Sequence, residues 1–297
     1  MSLREVKRRS NLLIYFGIAS LSSLWQLHSR SILVMSQIKR IFVYSDFPSR
    51  SLSIQEIIDY LKDYGLTAHD RGNLFKFLDP TTEEALELTN RIGGMRVLDI
   101  SEPIDEIRAP FFGEINLELE RLRGKASSIG VLYDGLWLQR VLYKIMAEKF
   151  PNDFRSGSIH IIFTSRLFVT FETRRYHARV VLTGLPSLIS TSGIVEAPAK
   201  SKEYHWVKAG FIRSGRDIRE LDIMYKGKFI EYDDRRITAI LRAYALQAVF
   251  YELTGDPFCV NPTCCLYNSH WQEEVLNTQI EGKLCKEHED IIKKETK

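Results

Sequence analysis

Apolar and polar residues follow one another along this chain at spacings that predict its secondary structure. Residues 38–46 form an apolar run rich in β-branched side chains, which predicts a buried strand. Ser53 then precedes apolar residues at positions 54, 57, 58 and 61, a helical spacing that ends at Gly65. The chain is therefore expected to open with a strand followed by a helix.

The next segment predicts one more helix and one more strand. Residues 81–84, Thr-Thr-Glu-Glu, resemble a capping sequence, and Gly93-Gly94 ends the helical spacing that follows. Residues 95–100 predict a strand. Residues 101–125 contain two prolines and charges of both signs, so we expect a domain boundary or a long connection there.

The middle of the chain combines a helical pattern with several strand patterns. Residues 129–150 carry apolar side chains at helical spacing, and Pro151 follows them. The β-rich runs 159–164, 167–171 and 176–182 are interpreted as neighbouring strands of one sheet, and residues 194–198 as a short extended piece. Residues 200–232 are polar, with a basic stretch around Arg213, Arg216 and Arg219.

The last long pattern predicts a helix from Asp233 to Thr254. Its apolar residues occupy nearly every side, which is typical of a helix in the centre of a core. Asp233 and Asp234 favour the positive end of a helix, and Gly255 can adopt the positive φ that ends one.

Composition excludes few function classes. The 297 residues are 44% hydrophobic and 27% charged, as in an ordinary globular protein, and the net charge is only +3. The total charge therefore gives no argument for binding nucleic acid or a membrane. Length allows one large domain or two smaller ones.

Residues 1–34 differ from the rest. Basic residues at positions 4 and 7–9 precede a short apolar run, an order typical of signal peptides, but no small-residue cleavage site follows. The run is shorter than the roughly 20 apolar residues that span a bilayer. We favour Met35 as the natural start, with a leader as the alternative.

All four cysteines lie in the last fifth of the chain, in a spacing that favours a metal. Cys259 and Cys264 flank an Asn-Pro turn, and Cys285 and His288 are separated by two residues. Two such pairs can hold a tetrahedral structural zinc ion. Buried thiols or a disulfide are the alternatives, and Cys265 could replace Cys264 as ligand. Clustered thiols favour a reducing compartment, so we expect a cytoplasmic protein.

The same layout resembles the archaemetzincins, a family of zinc peptidases with the motif HExxHxxGxxHC followed by further cysteines. The motif's glycine falls on Gly255, its structural cysteines on Cys259, Cys264 and Cys285, and the last ligand on His288. The similarity is clear over residues 244–288 and weaker back to residue 129. It implies a zincin-like mixed sheet, a long central helix and a structural zinc.

The resemblance fails where the family places its catalytic zinc. The three histidine ligands would fall on Ala248, Glu252 and Phe258, and the general-base glutamate on Val249. One carboxylate cannot hold an ion that requires three protein ligands. The resemblance therefore implies the scaffold and argues against the peptidase mechanism.

Other polar residues are candidates for a cleft or a relocated metal site. A buried Glu252 would need a partner, because an unpaired buried carboxylate is costly. His160 and His177 lie on adjacent predicted strands and could face the same cleft, with Glu196 or His205 nearby. Basic pairs at residues 174–175, 213–219 and 235–236 could contact phosphate, although no stacking-aromatic module accompanies them.

The predicted architecture is α+β. We expect an N-terminal α/β segment at residues 35–125 and an archaemetzincin-like domain at residues 126–297, with the zinc site at 259–288. The leading functional hypothesis is a metallopeptidase relative without conventional activity that binds a peptide or protein in the residual cleft. The alternatives are a zinc hydrolase with a relocated metal site and a nucleic-acid-binding protein.

Overall fold

A computed structural model describes residues 38, 40–47, 49, 51–126 and 130–296, so the expectations for residues 1–34 lie outside the described residues. The strands are β1 (Arg40–Ser45), β2 (Ala68–Asn73), β3 (Leu132–Asp134), β4 (Ser158–Thr164), β5 (Leu167–Glu172), β6 (Arg175–Ala178), β7 (Val181–Leu182) and β8 (Ser187–Ser190). The helices are α1 (Ile54–Asp63), α2 (Leu74–Leu78), α3 (Thr82–Gly94), α4 (Phe112–Leu122), α5 (Gly135–Lys149), α6 (Gly193–Glu196), α7 (Lys202–Ser214), α8 (Ile218–Met224), α9 (Ile237–Thr254), α10 (Gln272–Thr278) and α11 (Lys286–Glu295).

The main sheet has five strands in the order β2-β1-β4-β8-β7, and it is mixed. β1, β2, β4 and β8 pair in parallel, whereas β7 pairs with β8 in antiparallel fashion at one edge. β1 lies between β2 and β4, so strands on both sides of the expected boundary at residue 125 share one sheet. These pairings and the surrounding helices confirm the α+β class.

The alternation of side chains along β1 builds two hydrophobic cores on opposite faces of this sheet. Ile41 and Val43 pack with α1 and α9 on one face, while Phe42 and Tyr44 pack with α3 and α5 on the other. β4 is buried along its whole length between the same two layers. The central strands are consequently mostly apolar, which is why they could be predicted from the sequence.

A second, three-stranded sheet corrects two predictions. Its order is β3-β5-β6, so the runs 159–164 and 167–171 lie in different sheets rather than side by side. Residues 95–100 do not form a strand: α3 continues to Gly94, and Arg96 makes only an isolated bridge to Tyr133.

Several segments between the strands are helical where extended or irregular structure was expected. Residues 101–125 contain α4, and residues 194–198 contain α6 in place of an extended piece. The polar stretch 200–232 contains α7 and α8. The central helix begins at Ile237 instead of Asp233, because Asp233 has a φ of 60° and leaves the helical region.

α4 is held in place by buried charges rather than by apolar side chains. Glu118 is fully buried, accepts hydrogen bonds from Arg96 (2.6 Å) and Tyr133 (2.6 Å), and pairs with Arg166 at 2.9 Å. Arg166 also pairs with Asp46 at the end of β1. The buried face of this helix therefore lacks the apolar stripe by which sequence patterns identify helices.

Candidate metal centre

The cysteine cluster lies where the chain leaves α9 and returns to the body of the protein. Gly255 ends α9 with a φ of 79°. Cys259 then pairs through its N–H with the carbonyl of Leu266 (3.0 Å), while the Asn261 side chain accepts from the N–H of Thr263 (3.0 Å). This closed turn presents Cys259 and Cys264 to the same side. Cys285 follows later as the N-cap of α11, which carries His288 in its first turn.

The structure brings Cys259, Cys264, Cys285 and His288 together. Their ligand atoms all lie within 4.8 Å of one another, with 3.9 Å between the sulfurs of Cys259 and Cys285. Sulfurs bound tetrahedrally at about 2.3 Å from a zinc ion would be about 3.8 Å apart. A disulfide requires about 2.05 Å, and all four cysteines are free thiols. The spacing fits a metal and excludes a disulfide in this structure.

Backbone groups around the cluster also favour sulfur ligands for a cation. The N–H of Asn261 points at the sulfur of Cys259 (3.3 Å), and the N–H of Cys285 points at that of Cys264 (3.4 Å). Such donors stabilise negative charge on sulfur. Without a cation, burial raises the pKa of Cys259 to about 12, and the contact with Cys265 followed by burial raises that of Cys264. A bound cation would replace these thiol protons.

Cys265 lies outside the cluster. Its sulfur is buried 3.9 Å from the hydroxyl of Tyr60 on α1, and it is absent from the group of converging ligand atoms. Tyr60 and Tyr64 both donate hydrogen bonds to the carbonyl of Gly282, so α1 also contacts the segment that precedes Cys285. The geometry therefore selects Cys264 over Cys265 as the neighbour of Cys259.

His288 links the cluster to the central helix. Its Nδ1 lies 3.1 Å from the sulfur of Cys285, and its ring packs edge-on against Phe250 of α9 at 5.0 Å between centroids. A metal held by these four residues would join α9, the turn after it and α11.

The positions aligned with the catalytic motif lie on α9 and in the segment after it, and they form no group of converging metal ligands. Ala248 and Val249 are fully buried in the hydrophobic core, and Phe258 is 37% exposed. Glu252 is exposed, so the condition under which it would need a partner is not met, although partial desolvation raises its pKa. Within the part of the chain that the structure describes, no hydrogen bond or ion pair to the Glu252 side chain is present. Gln247, which is fully buried on α9, has no hydrogen-bond partner for its side chain among the described residues.

The residues considered for a relocated metal site are scattered. His160 is buried on β4, where its Nε2 donates to the carbonyl of Asp153 (3.1 Å) and its ring stacks on Phe154. His177 lies on β6, in the other sheet. Glu196 accepts from the hydroxyl of Tyr232 at 2.7 Å, and His205 is exposed on α7.

Among the described residues, these side chains do not form a group of converging metal ligands. Over residues 38, 40–47, 49, 51–126 and 130–296, the Cys/His cluster is the one group of three or more metal-ligating side chains that converges. In the same residues, no helix is long and apolar enough to cross a membrane.

An α+β fold carrying a closed cluster of three thiols and one imidazole is typical of a protein with a structural metal centre. The sequence matches the model of the family described as "Probable metallopeptidase family (DUF6775)" over residues 37–295, and the chain belongs to this family. This match confirms the recognition of a metallopeptidase relative. No curated protein matches the sequence significantly.

Two solved structures are similar to this chain at low identity. A zinc-dependent peptidase from Methanocorpusculum labreanum (strain Z) has a TM-score of 0.39 and 11% identity, over 85% of this chain and 99% of that one. An archaemetzincin from Methanopyrus kandleri has a TM-score of 0.38 and 11% identity, over 89% and 98%. Because these TM-scores are below 0.5, the family assignment rests on the sequence match.

Proposed function

We propose that this protein is a metallopeptidase relative that keeps a structural zinc ion, has lost peptide-bond hydrolysis and binds a peptide or protein beside α9. The observation that carries the proposal is the contrast between two sites. Cys259, Cys264, Cys285 and His288 converge, whereas positions 248, 249, 252 and 258 offer a single carboxylate.

The zinc ion in this proposal is structural because its four protein ligands leave no position for water. When bound, zinc would supply a cross-link between elements rather than an activated water molecule. Cys259 and Cys264 would hold it from the turn after α9, and Cys285 and His288 from the start of α11. Four free thiols also fit the reducing cytoplasm, which is the compartment we propose.

The proposed binding cleft lies at the exposed end of α9, around Glu252. This carboxylate is accessible and has no partner among the described residues, so it is available to a ligand. β7 is an edge strand of the main sheet, and its residue Val181 packs against the hydrophobic core that contains α9. An extended peptide can pair with such an edge through its main chain. These features support a peptide ligand better than a small molecule.

The metal content of the purified full-length protein tests the structural part of the proposal. We expect one zinc ion per chain by elemental analysis, lost in Cys285→Ser and retained in the matched control Cys265→Ala. Two zinc ions per chain, or zinc that survives Cys285→Ser, would contradict the proposed centre.

The absence of hydrolysis is tested separately. We expect no cleavage of denatured casein by the zinc-loaded protein, at any added zinc concentration, above that of a chelated sample. Chelator-sensitive cleavage that persists in Cys285→Ser would show a second, catalytic metal and overturn the proposal.

Peptide binding is tested with a photoreactive amino acid placed at Glu252, and a matched probe at Glu220 on α8, which is also exposed. We expect cross-links from position 252 to members of an unbiased peptide library, and none from position 220. Equal labelling from both positions would contradict a cleft at α9.

A further inference from the structure

α7 and α8 form a helical hairpin that has its own small core. Tyr204, Phe211, Leu221, Tyr225 and Phe229 are buried together, apart from the two cores on the faces of the main sheet. Tyr225 contacts Tyr204 edge-on at 5.1 Å, so the end of α8 lies beside the beginning of α7. We refer to residues 200–228 as the helical hairpin.

The helical hairpin exposes large apolar side chains although its core is complete. Trp206 is 79% exposed, Ile223 74%, Ile212 63% and Met224 55%. Trp206 is the most exposed large aromatic side chain among the described residues. A single exposed apolar residue needs no explanation, but four within two short helices indicate a surface that contacts something apolar.

The helical hairpin also concentrates positive charge. It contains eight lysine or arginine residues and four acidic residues, a net charge of +4, while the whole chain has a net charge of only +3. The remainder of the protein is therefore close to neutral. The weak total charge conceals a local basic region.

Two basic residues, Lys202 and Arg213, share one face of α7 with Trp206. Lys202, Trp206 and Arg213 are spaced by four and seven residues, which places them on one stripe, whereas Tyr204 and Phe211 lie on the buried side. Arg216 and Arg219 are paired with Glu220 and Asp217. In the part of the chain that the structure describes, no carboxylate lies within 4.0 Å of Lys202 or Arg213. These two cations are free to meet an external anion.

We propose that the helical hairpin is a docking surface for a membrane leaflet that contains anionic phospholipid. Tryptophan is favoured at the level of lipid headgroups, and exposed Ile and Met side chains can enter the boundary with the acyl chains. Lys202 and Arg213, on either side of Trp206, would contact the lipid phosphates. The protein would lie on the bilayer without crossing it, as interfacial helices do.

Other partners fit these observations less well. Single-stranded nucleic acid binds through rows of stacking aromatic rings, and in the helical hairpin the other large aromatic side chains are buried. A stable protein interface needs a complementary surface that buries more than about 1,000 Å². The exposed side chains here lie on two short helices, and a fluid bilayer can adapt to their arrangement.

Vesicle flotation of the full-length chain tests the proposal. We expect binding to vesicles of phosphatidylcholine with phosphatidylserine, little binding to phosphatidylcholine alone, and weaker binding at high salt because the charges are exposed. Removal of Lys202 and Arg213 by Lys202→Ala/Arg213→Ala should weaken binding by about fivefold for each cation.

Two matched variants make the test specific. Trp206→Ser should weaken binding, whereas Phe112→Ser, at a residue that is 77% exposed on α4, should not. Arg174→Ala/Arg175→Ala removes the same number of exposed cations from the β5–β6 hairpin, at the turn and the first residue of β6, and should leave binding unchanged. Circular dichroism checks that each variant is folded.

Three outcomes would overturn the proposal. They are an absence of binding to anionic vesicles, binding that is unchanged in Trp206→Ser and Lys202→Ala/Arg213→Ala, and preferential binding of a single-stranded oligonucleotide that depends on the same residues. None of these outcomes bears on the zinc content or on hydrolysis, so the proposed function is tested independently.

Discussion

At the scale of single residues, Glu118 shows how strongly buried charges depend on one another. Its carboxylate lies among Arg96, Arg121 and Arg166, each at most 9% exposed at the side chain. Burial alone would raise its pKa, yet the charge of Arg166 and the hydrogen bonds from Arg96 and Tyr133 lower it to about 2. The carboxylate is therefore the common counter-ion of three buried cations.

Removing this charge is expected to be costly. Glu118→Gln should lower the free energy of unfolding by about 3–5 kcal/mol, because it removes the buried carboxylate that Arg96, Arg121 and Arg166 share. The matched control Glu120→Gln, on the same helix and 41% exposed at the side chain, should change it by less than about 0.5 kcal/mol. Urea unfolding of both variants measures the difference, and equal losses would contradict the assigned role.

The lowered pKa of Glu118 also determines how the free energy of unfolding changes as the pH falls. A carboxyl group with a lower pKa in the folded state contributes stability at high pH and loses it as the pH falls from about 4.5 towards about 2. In Glu118→Gln the free energy of unfolding should consequently vary less over this interval than in the unmodified protein.

The shifted pKa of His160 also makes the stability of the fold depend on pH, over a higher pH interval. Burial lowers its pKa from 6.5 to about 4, and the neutral ring accepts from Tyr44 while it donates to the carbonyl of Asp153. The unfolded chain binds a proton between these pH values and the folded protein does not, so stability should fall as the pH drops from about 6.5 to about 4.

Chemical denaturation at a series of pH values checks this expectation. His160→Gln should reduce the slope of stability against pH in that interval, while the exposed control His205→Gln should leave it unchanged. An unaltered slope in His160→Gln would mean that another group causes the acid sensitivity.

The sequence could identify the four cluster residues but not the buried charges. Cysteine and histidine at short spacing predict a metal from local information alone, and here the four side chains do converge. Asp46, Glu118 and Arg166 are 48 or more positions apart and meet only through the fold. The exposure of Glu252 could not be predicted from the sequence either, because it depends on which residues pack over the end of α9.

At the scale of elements, α11 is expected to depend on the proposed zinc ion. Cys285 is its N-cap and His288 lies in its first turn, and only Ile292 is fully buried along it. Chelation should therefore increase amide hydrogen exchange in α11 and in the turn at residues 256–266, while α9, buried on nearly all sides, should retain its protection.

Hydrogen-exchange mass spectrometry with and without chelator measures this effect. Cys265→Ala is the control, since it should still respond to chelation as the unmodified protein does. Uniform loss of protection across α9 and the sheet would mean that the ion supports the whole fold and not its C-terminal part.

Elements with strong local patterns were predicted well. Ser53 accepts from the N–H of Glu56 at the start of α1, and Thr81 and Glu84 form the expected capping box of α3. α4, α7 and α8 were missed because a buried ion cluster and a small separate core stabilise them, and neither gives a long apolar stripe. Residues 95–100 have the composition of a strand, but they meet β3 only around the bridge between Arg96 and Tyr133, because β3 is three residues long.

At the scale of the whole molecule, the packing of α9 opposes a metal site at Ala248 and Val249. Ala248 and Val249 are enclosed by the hydrophobic core on the face of the sheet that α1 also covers. Ala248→His should destabilise the protein by about 1–3 kcal/mol, because a larger polar side chain has no space there.

Combining this change with Val249→Glu, Glu252→His and Phe258→His should not add a second zinc ion per chain. Elemental analysis and thermal unfolding of the combined variant check this. A folded variant with two zinc ions would contradict the expectation that packing prevents a metal site there.

The global arrangement was predictable in class but not in topology. The apolar runs of β1 and β4 and the all-round apolar α9 indicate a sheet with a central helix. The position of β1 between β2 and β4 depends on the path of the chain between strands, which local sequence patterns do not predict. The antiparallel edge strand β7 is only two residues long, too short for its alternation to be recognised.

The hydrogen bonds of Tyr60 and Tyr64 to Gly282 join segments that are up to 222 residues apart. During synthesis on the ribosome, α1 emerges long before the segment that covers its tyrosines. Until residue 282 is synthesised, the tyrosine side chains of α1 therefore lack these partners. A chain that ends before residue 282 would keep this surface exposed. We expect cellular quality control to recognise such truncated products by that uncovered patch and to degrade them.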